Sequence, residues 1–316
     1  MKRYHDIVGD GGSRVLEQVA EQRTLIADGL AGVRHLVAVS SGKGGVGKST
    51  LTQHLAGALR ARGLRIAILD ADFNGPSQAR MAGVRQAVFV PPPSPKGSGA
   101  AGGSEKVALP RTASGIGVFS TGSLIPESEA LDFESVSRGE SHTWRATREF
   151  ALLAEVLGAF EWGGLDVLLV DLPPGSERTV QYAEFFGSLD KDRDTSRTSF
   201  LLVTIPSQVS RGVVARSIAA LSKRSIHMLG YVENMSGYYC RECDAIKPLF
   251  LDQPFGASRG AVNLGIPCLG TVPFDPELAR HCDLGIPFES LRDSAAGRAL
   301  DQVAQRLLDT LEEPRP

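Results

Sequence analysis

Several things are scarce in this sequence, and each shortage excludes something. Acidic and basic residues nearly cancel, 36 Asp and Glu against 34 Lys and Arg, so no charge excess marks nucleic acid as a main partner. No apolar run approaches the roughly 18–20 residues of a membrane span, and Met1 to Asp10 lack the apolar stretch of a secretion signal. The expected compartment is the cytoplasm, with no membrane partner. Only four cysteines occur in 316 residues. That is no disulfide framework; in a reducing compartment close spacing points to metal or redox chemistry. No internal repeat is visible.

What is present is led by Gly42-Lys43-Gly44-Gly45-Val46-Gly47-Lys48-Ser49-Thr50, which fits the phosphate-loop pattern GxxxxGK[ST]. Leu36 to Ser40 before it reads as a buried strand, and Leu51 to Arg62 after it as a helix. A strand, a glycine-rich turn and a helix N-terminus aim backbone N–H groups and a positive dipole end at one anion. Lys48 is expected at the β- and γ-phosphates and the Ser49 hydroxyl on Mg²⁺. Lys43 is a second lysine just inside the loop. It adds charge where phosphoryl transfer changes it, either on its own nucleotide or on that of a partner subunit in a two-fold dimer.

Short apolar runs alternate with helix-length segments. The runs are Leu64–Leu69, Ile116–Ser120, Asp166–Val170, Phe200–Ile205, His227–Val232 and Cys268–Val272; the predicted helices include His142–Phe160, Ser210–Lys223 and Asp275–Cys282. Such alternation implies crossovers, hence an α/β, three-layer P-loop NTPase with a mostly parallel sheet covered by helices on both faces. Ligands of such sheets bind at the C-terminal strand ends. Residues 1–33 read as an N-terminal helical segment with a helix over Val15 to Leu30, and 34–316 as the P-loop domain. Residues 90–106, rich in Pro, Gly and Ser, and 187–199, charged and polar, read as mobile surface inserts. The last helix, Ser290 to Leu311, carries one stripe of Leu300, Val303, Leu307 and Leu311. It lacks the cationic and aromatic residues of a membrane-binding helix, so the expectation is packing on the domain.

Asp171 ends the run Asp166 to Val170, where a nucleotide hydrolase keeps its Mg²⁺ carboxylate; a helix cap or loop role is the alternative. Asp70 and Asp72 end another strand, and period-two spacing sets both on one side of an extended chain. One of them is placed to orient water or metal; the alternative is a turn ahead of Asn74-Gly75-Pro76.

Cys240 and Cys243 follow a late strand at CxxC spacing. Two thiolates do not fill a tetrahedral site, and no His or Cys lies within the next twenty residues. A symmetric dimer supplies four thiolates, the set for a [4Fe–4S] cluster or for zinc. Redox chemistry or no role are the other readings.

The sequence resembles the Mrp/ApbC family of cytosolic iron–sulfur carrier ATPases, within the group that also holds MinD and ParA. The resemblance runs from about Arg34 to Pro287. It rests on Ser41–Thr50 (SGKGGVGKST), Leu69–Ser77 (LDADFNGPS), Val170–Gly175 (VDLPPG), Tyr231–Ser236 (YVENMS) with the CxxC, and Gly265–Pro276 (GIPCLGTVPFDP). It implies that Gly42, Lys43, Gly44, Gly45, Val46, Gly47, Lys48, Ser49 and Thr50 hold ATP, with Asn234, Pro273 and Asp275 also on the nucleotide. Ser49, Asp72 and Asp171 would serve Mg²⁺, the two carboxylates directly or through water. Lys43, Lys48, Asp72 and Asp171 would carry catalysis, and Cys240 and Cys243 the cluster. The implied function is a slowly hydrolysing homodimeric carrier that delivers [4Fe–4S] clusters from an assembly scaffold to apo-proteins. The alternatives are a MinD/ParA-type positioning ATPase, or the same dimer with structural zinc. Three departures stand out: Ser176-Glu177-Arg178 where relatives read TGD, Pro206-Ser207-Gln208 where relatives have PQD, and no WRGP-like stretch near 132–144.

Overall fold

The computed structural model describes residues 15–85, 107–124, 142–190, 197–224, 226–240, 242–249 and 265–313. In chain order the elements are α1 (Val15–Gly29), β1 (Val33–Ser41), α2 (Lys48–Ala61), β2 (Ile66–Asp70), α3 (Gln78–Met81), β3 (Val107–Ala108), β4 (Gly117–Phe119), α4 (His142–Ala159), β5 (Phe160–Glu161), β6 (Leu165–Asp171), α5 (Ser176–Leu189), β7 (Thr198–Thr204), α6 (Gln208–Ser222), β8 (Met228–Cys240), β9 (Ala245–Lys247), β10 (Cys268–Phe274), α7 (Pro276–Leu284) and α8 (Ala295–Glu312). The main sheet runs β10-β8-β7-β1-β6-β2-β4, every neighbouring pair parallel, with β9 added antiparallel to the end of β8.

The sequence alternation explains the layers. Val37, Val39, Ile66, Ile68, Val167 and Leu169 point to one face, where α2 and α8 cover them with Leu51, Leu55, Leu59, Leu300, Val303 and Leu307. Their neighbours Leu36, Ala38, Ala67, Leu69, Leu168 and Val170 point to the other face, under α1, α4, α5 and α6. Both sets are buried, which is why the strands read as continuous apolar runs. The stripe on α8 packs on β8, β10 and α2, as expected.

Several element bounds differ from the sequence reading. The last helix starts at Ala295, not Ser290: the Ser294 hydroxyl caps it by accepting from the Gly297 amide at 2.9 Å, after a 3₁₀ turn at Phe288–Leu291. β8 runs eight residues past Val232 to Cys240, because β10 and β9 both pair with it. Of the stretch 187–199, the first three residues belong to α5, which ends at Leu189, and the last two to β7, which starts at Thr198; residues 191–196 lie outside the described residues. Asp190 closes this connection by accepting from the Thr198 amide at 3.2 Å and facing Arg197 at 3.9 Å. The 90–106 stretch lies outside the described residues, as does 132–141, most of the place of the missing WRGP-like segment. Among the described residues no helix is long and apolar enough to cross a membrane.

One buried polar side chain gives the fold a pH signature. His54 of α2 is 2% exposed, with Nε2 3.3 Å from the Leu278 carbonyl and 3.4 Å from Cys282 Sγ. Burial lowers its pKa from 6.5 to about 4, against an opposing pull from the Leu278 carbonyl. The unfolded chain therefore takes up this proton first. The group's contribution is complete above pH 6.5 and is lost as pH falls toward 4, by up to about 1.4 kcal/mol per pH unit. Urea unfolding at pH 7.5 and 5 should show a smaller loss of stability in His54→Leu than in the wild type. Equal losses would remove His54 as the source.

Candidate functional site

Parallel register gathers three strand ends. Val39 of β1 and Asp70 of β2 both lie level with Asp171 of β6. From the end of β1 the chain turns through Gly42–Gly47 into α2. Gly47 stands at the N-cap with φ 77° and makes no side-chain cap, so the first amides of α2 keep their donors for a ligand. Glycine is required there twice over: φ is left-handed, and a Cβ would lie 2.3 Å from Asn234 Nδ2. Asn234 Nδ2 donates to the Val46 carbonyl at 2.9 Å, bracing the loop from β8. Gly42 allows α6 to approach, since a Cβ would meet Val213 Cγ1 at 2.4 Å.

Lys48 is buried and ion-paired with Asp171, which is wholly buried. Lys48 Nζ also lies 3.3 Å from Ser49 Oγ. The second Asp171 oxygen accepts from Gln78 Nε2 at 2.8 Å, and the same nitrogen reaches the Ser49 carbonyl at 3.0 Å. Gln78 is a site residue that sequence reasoning missed, though it directly follows the LDADFNGPS segment. Lys43 is half-buried on the loop.

Asp70 and Asp72 do not share one side of an extended chain. β2 ends at Asp70, and the chain turns there because the Asp72 amide donates to Asp70 Oδ1 at 3.2 Å. The other Asp70 oxygen accepts from the Ser77 and Gln78 amides at 2.9 and 3.0 Å and from Ser120 Oγ at 2.9 Å. Burial and then the neighbouring Asp171 push the Asp70 pKa up to about 7. This carboxyl builds the loop and α3. Asp72 stays half-buried, accepting from the Gly75 amide at 3.3 Å, and burial raises its pKa while Lys48 lowers it. Of the two, Asp72 is the one open to a ligand.

A mainly apolar cleft opens beside the loop, lined by Gly47, Thr50, His54, Asn234, Pro273 and Asp275 among others. A flat aromatic base suits such a wall. Asp275 is buried and caps α7, accepting from the Glu277 amide at 3.0 Å, so its side chain is engaged inside the protein. Met235, φ 52°, turns β8 at the rim of this cleft. No sequence signal distinguishes it from an ordinary strand residue.

Beyond the cleft β8 ends in a hairpin. Tyr238 pairs with Lys247 and Cys240 with Ala245, so Cys240 and Lys247 share one face. Cys243 is exposed and Cys240 half-exposed. Hydrogen bonding from Cys243 and from nearby amides holds the Cys240 thiol below its ordinary pKa, and Lys247 contacts both thiols. Cys282 is buried, its pKa raised to about 12, and Cys268 lies in β10. Among the described residues no group of three or more His, Cys, Asp or Glu side chains could hold a metal.

The family described as ParA, NUBPL iron-transfer P-loop NTPase, matches residues 32–308. The cytosolic Fe-S cluster assembly factor NUBP2 of Bos taurus is 38% identical over 280 residues, covering 88% of this chain and 94% of that protein. The nucleotide-binding protein of Archaeoglobus fulgidus, solved with ADP, superimposes with a TM-score of 0.63 at 28% identity, over 84% of this chain and 91% of that one. The septum site-determining protein MinD of Pyrococcus horikoshii, solved with Mg-ADP, gives 0.56 at 20% identity over 86% and 95%, a likeness of fold.

The double constraint on Gly47 gives a test. Gly47→Ala should cost roughly 1–2 kcal/mol in stability from the left-handed backbone alone. It should also abolish nucleotide binding, because relief of the Asn234 clash moves the loop. Adding Asn234→Gly should leave the stability cost largely in place. Calorimetric titration with ATP and thermal unfolding of both variants check this. Wild-type affinity in Gly47→Ala would show that the contact does not shape the loop.

Proposed function

We propose, for a chain that belongs to the NUBPL iron-transfer family of ParA-type P-loop NTPases, that it is an ATP-hydrolysing homodimeric carrier in the cytoplasm. Its cargo is a [4Fe–4S] cluster held by Cys240 and Cys243 of both subunits, received from an assembly scaffold and delivered to apo-proteins. The observation that carries this reading is that β8 forms a wall of the nucleotide cleft at Asn234 and ends in the CxxC hairpin at Cys240. One strand joins the two chemistries. The names of the relatives, cytosolic Fe-S cluster assembly factors, agree with it.

The residues suit ATP and Mg²⁺. Gly44 and Gly45 are exposed, and a Cβ on Gly45 would have open space around it, so the loop is a bare backbone cradle. Ser49 and Asp171 are the hard oxygen donors that Mg²⁺ prefers, with Asp72 within reach through water. The metal supplies charge neutralisation to the phosphates. In this reading Lys48 leaves Asp171 for the β- and γ-phosphates, and the cleft with Asn234 and Pro273 takes the base. Asp72 orients the attacking water. Lys43 serves the partner's nucleotide.

The cluster reading follows from a ligand count: two thiols per chain against the four a cluster needs. The downward shift of the Cys240 thiol pKa favours the thiolate that binds iron. Tyr238, Ile246, Leu249 and Phe274 are exposed apolar residues around the hairpin, and a second copy at the two-fold axis would cover them.

Anaerobic reconstitution with iron and sulfide tests the reading. Wild type should take up about two irons per chain, one cluster per dimer. Cys240→Ser and Cys243→Ser should lose the iron and the share of dimerisation it supports, while Cys268→Ser and Cys282→Ser keep both. If Cys240→Ser retains its iron, the bridging is wrong; zinc alone in the wild type would replace the carrier reading with a structural site. On the nucleotide side, Lys48→Ala should abolish tight ATP binding, whereas Lys43→Ala should lower turnover more than affinity. Equal loss of affinity in both would defeat the separate roles.

A further inference from the structure

Arg178 belongs to the Ser176-Glu177-Arg178 stretch, which departs from the pattern that the resemblance implies. It occupies the first turn of α5, seven residues after Asp171. A cation there opposes the helix dipole, so its presence needs another cause. Its guanidinium pairs with Glu149 of α4, a carboxylate only 3% exposed. It also lies over the rings of Phe150 and Tyr182, 6.0 and 5.6 Å from their centroids, and donates to Gln181 Oε1 at 2.8 Å. Glu149 Oε1 in turn accepts from Asn74 Nδ2 at 2.6 Å. On the other flank of the same loop, the Tyr182 hydroxyl donates to the Ala71 carbonyl at 3.0 Å.

Asp72 lies between Ala71 and Asn74, and both neighbours are gripped from α4 and α5. We propose that Glu149 and Arg178 form a latch that positions the Asp72 loop for ATP hydrolysis, a role that rests on the ATPase reading above. Glu149 holds Asn74, and Arg178 pairs with the buried Glu149 and aims it. Arg178 also sets a positive charge toward Asp72, opposing the effect of burial on that carboxyl. These are positioning residues: neither is required for the phosphate loop to take nucleotide. The latch also ties the loop to the helix that follows Asp171, so the Asp72 and Asp171 segments move as one body.

The test uses Glu149→Gln, Arg178→Gln, Arg178→Lys and the loop variant Asn74→Ala, which leaves the buried helices untouched. Two readouts are taken on full-length protein. The first is hydrogen exchange of the amides of residues 71–77, which should quicken in Glu149→Gln, Arg178→Gln and Asn74→Ala and stay near wild type in Arg178→Lys. The second is the split between kcat and the ATP Kd. The three loosened variants should lose about ten- to a hundredfold in kcat, the scale of a misplaced catalytic group, with little change in Kd. The Asn74→Ala and Glu149→Gln losses should fall short of additive in the double variant, since a side chain at 149 released from Arg178 has no loop contact left to lose once Asn74 is truncated. Unchanged exchange in the loosened variants of a wild type that hydrolyses ATP overturns the latch. So does a Kd that weakens in step with kcat, or full additivity. A wild type that binds but never hydrolyses ATP overturns the ATPase reading and the catalytic half of the latch, and is told apart by an exchange difference that persists.

Discussion

The Lys48–Asp171 ion pair is the interaction on which the rest of the site depends. Both groups are buried, one at the start of α2 and one at the end of β6, and each is tolerable there because the other is present. Removing either partner of a buried pair costs about 3–5 kcal/mol, because the remaining charge is stranded. The pair therefore fixes the separation of the phosphate loop from the neighbouring strand end. Gln78 extends it, joining Asp171 to the Ser49 carbonyl and so to the loop that starts at Asp70. An anion arriving at the loop competes with Asp171 for Lys48, and that competition is felt at Gln78 as well. In the proposed reading this is how nucleotide binding reaches the Asp72 loop.

Three carboxylates at adjoining strand ends would repel if all carried charge without partners. The structure divides them by environment. Asp171 has Lys48; Asp70 has four donors and a raised pKa; Asp72 sits outward, where solvent and ligand can reach it. The result separates a carboxylate that faces a cation from one that shapes backbone and one left free to act. Such a division is what a site handling both metal and water needs.

Much of this could be read from residue patterns. The parallel sheet was legible because its strands are buried on both faces, so Val167 to Val170 has no polar alternation to disguise it. The phosphate loop was legible because its glycines are demanded locally by backbone geometry. What stayed hidden depends on distance through space. Asp70 and Asp72 look equivalent in sequence, and only the donors converging from Ser77, Gln78 and Ser120 make one structural. Glu149 looks like a surface residue of an amphipathic helix until Arg178 and Asn74 are brought to it. The reach of β8 past Val232 was hidden because Gly237 does not resemble a strand residue. It is needed there because a Cβ would strike the Lys247 carbonyl at 2.8 Å where the hairpin closes.

In the proposed reading the hairpin lets two chemistries share one strand. Asn234 and Cys240 are six residues apart on one strand, with the left-handed Met235 between them. A non-glycine residue in that conformation is held only where its surroundings over-determine it. Here the surroundings include Gly47, whose notional Cβ would lie 3.5 Å from Met235 Cε. The tip of the Met235 side chain thus lies close to the residue that shapes the phosphate loop. Any rearrangement of the loop bears first on Asn234 and Met235. The strand beyond is held by pairing with β10 and β9, with Tyr238 beside Phe274. In the carrier reading, β8 is the direct covalent connection between the nucleotide cleft and the thiols. No separate relay between the two sites is then needed.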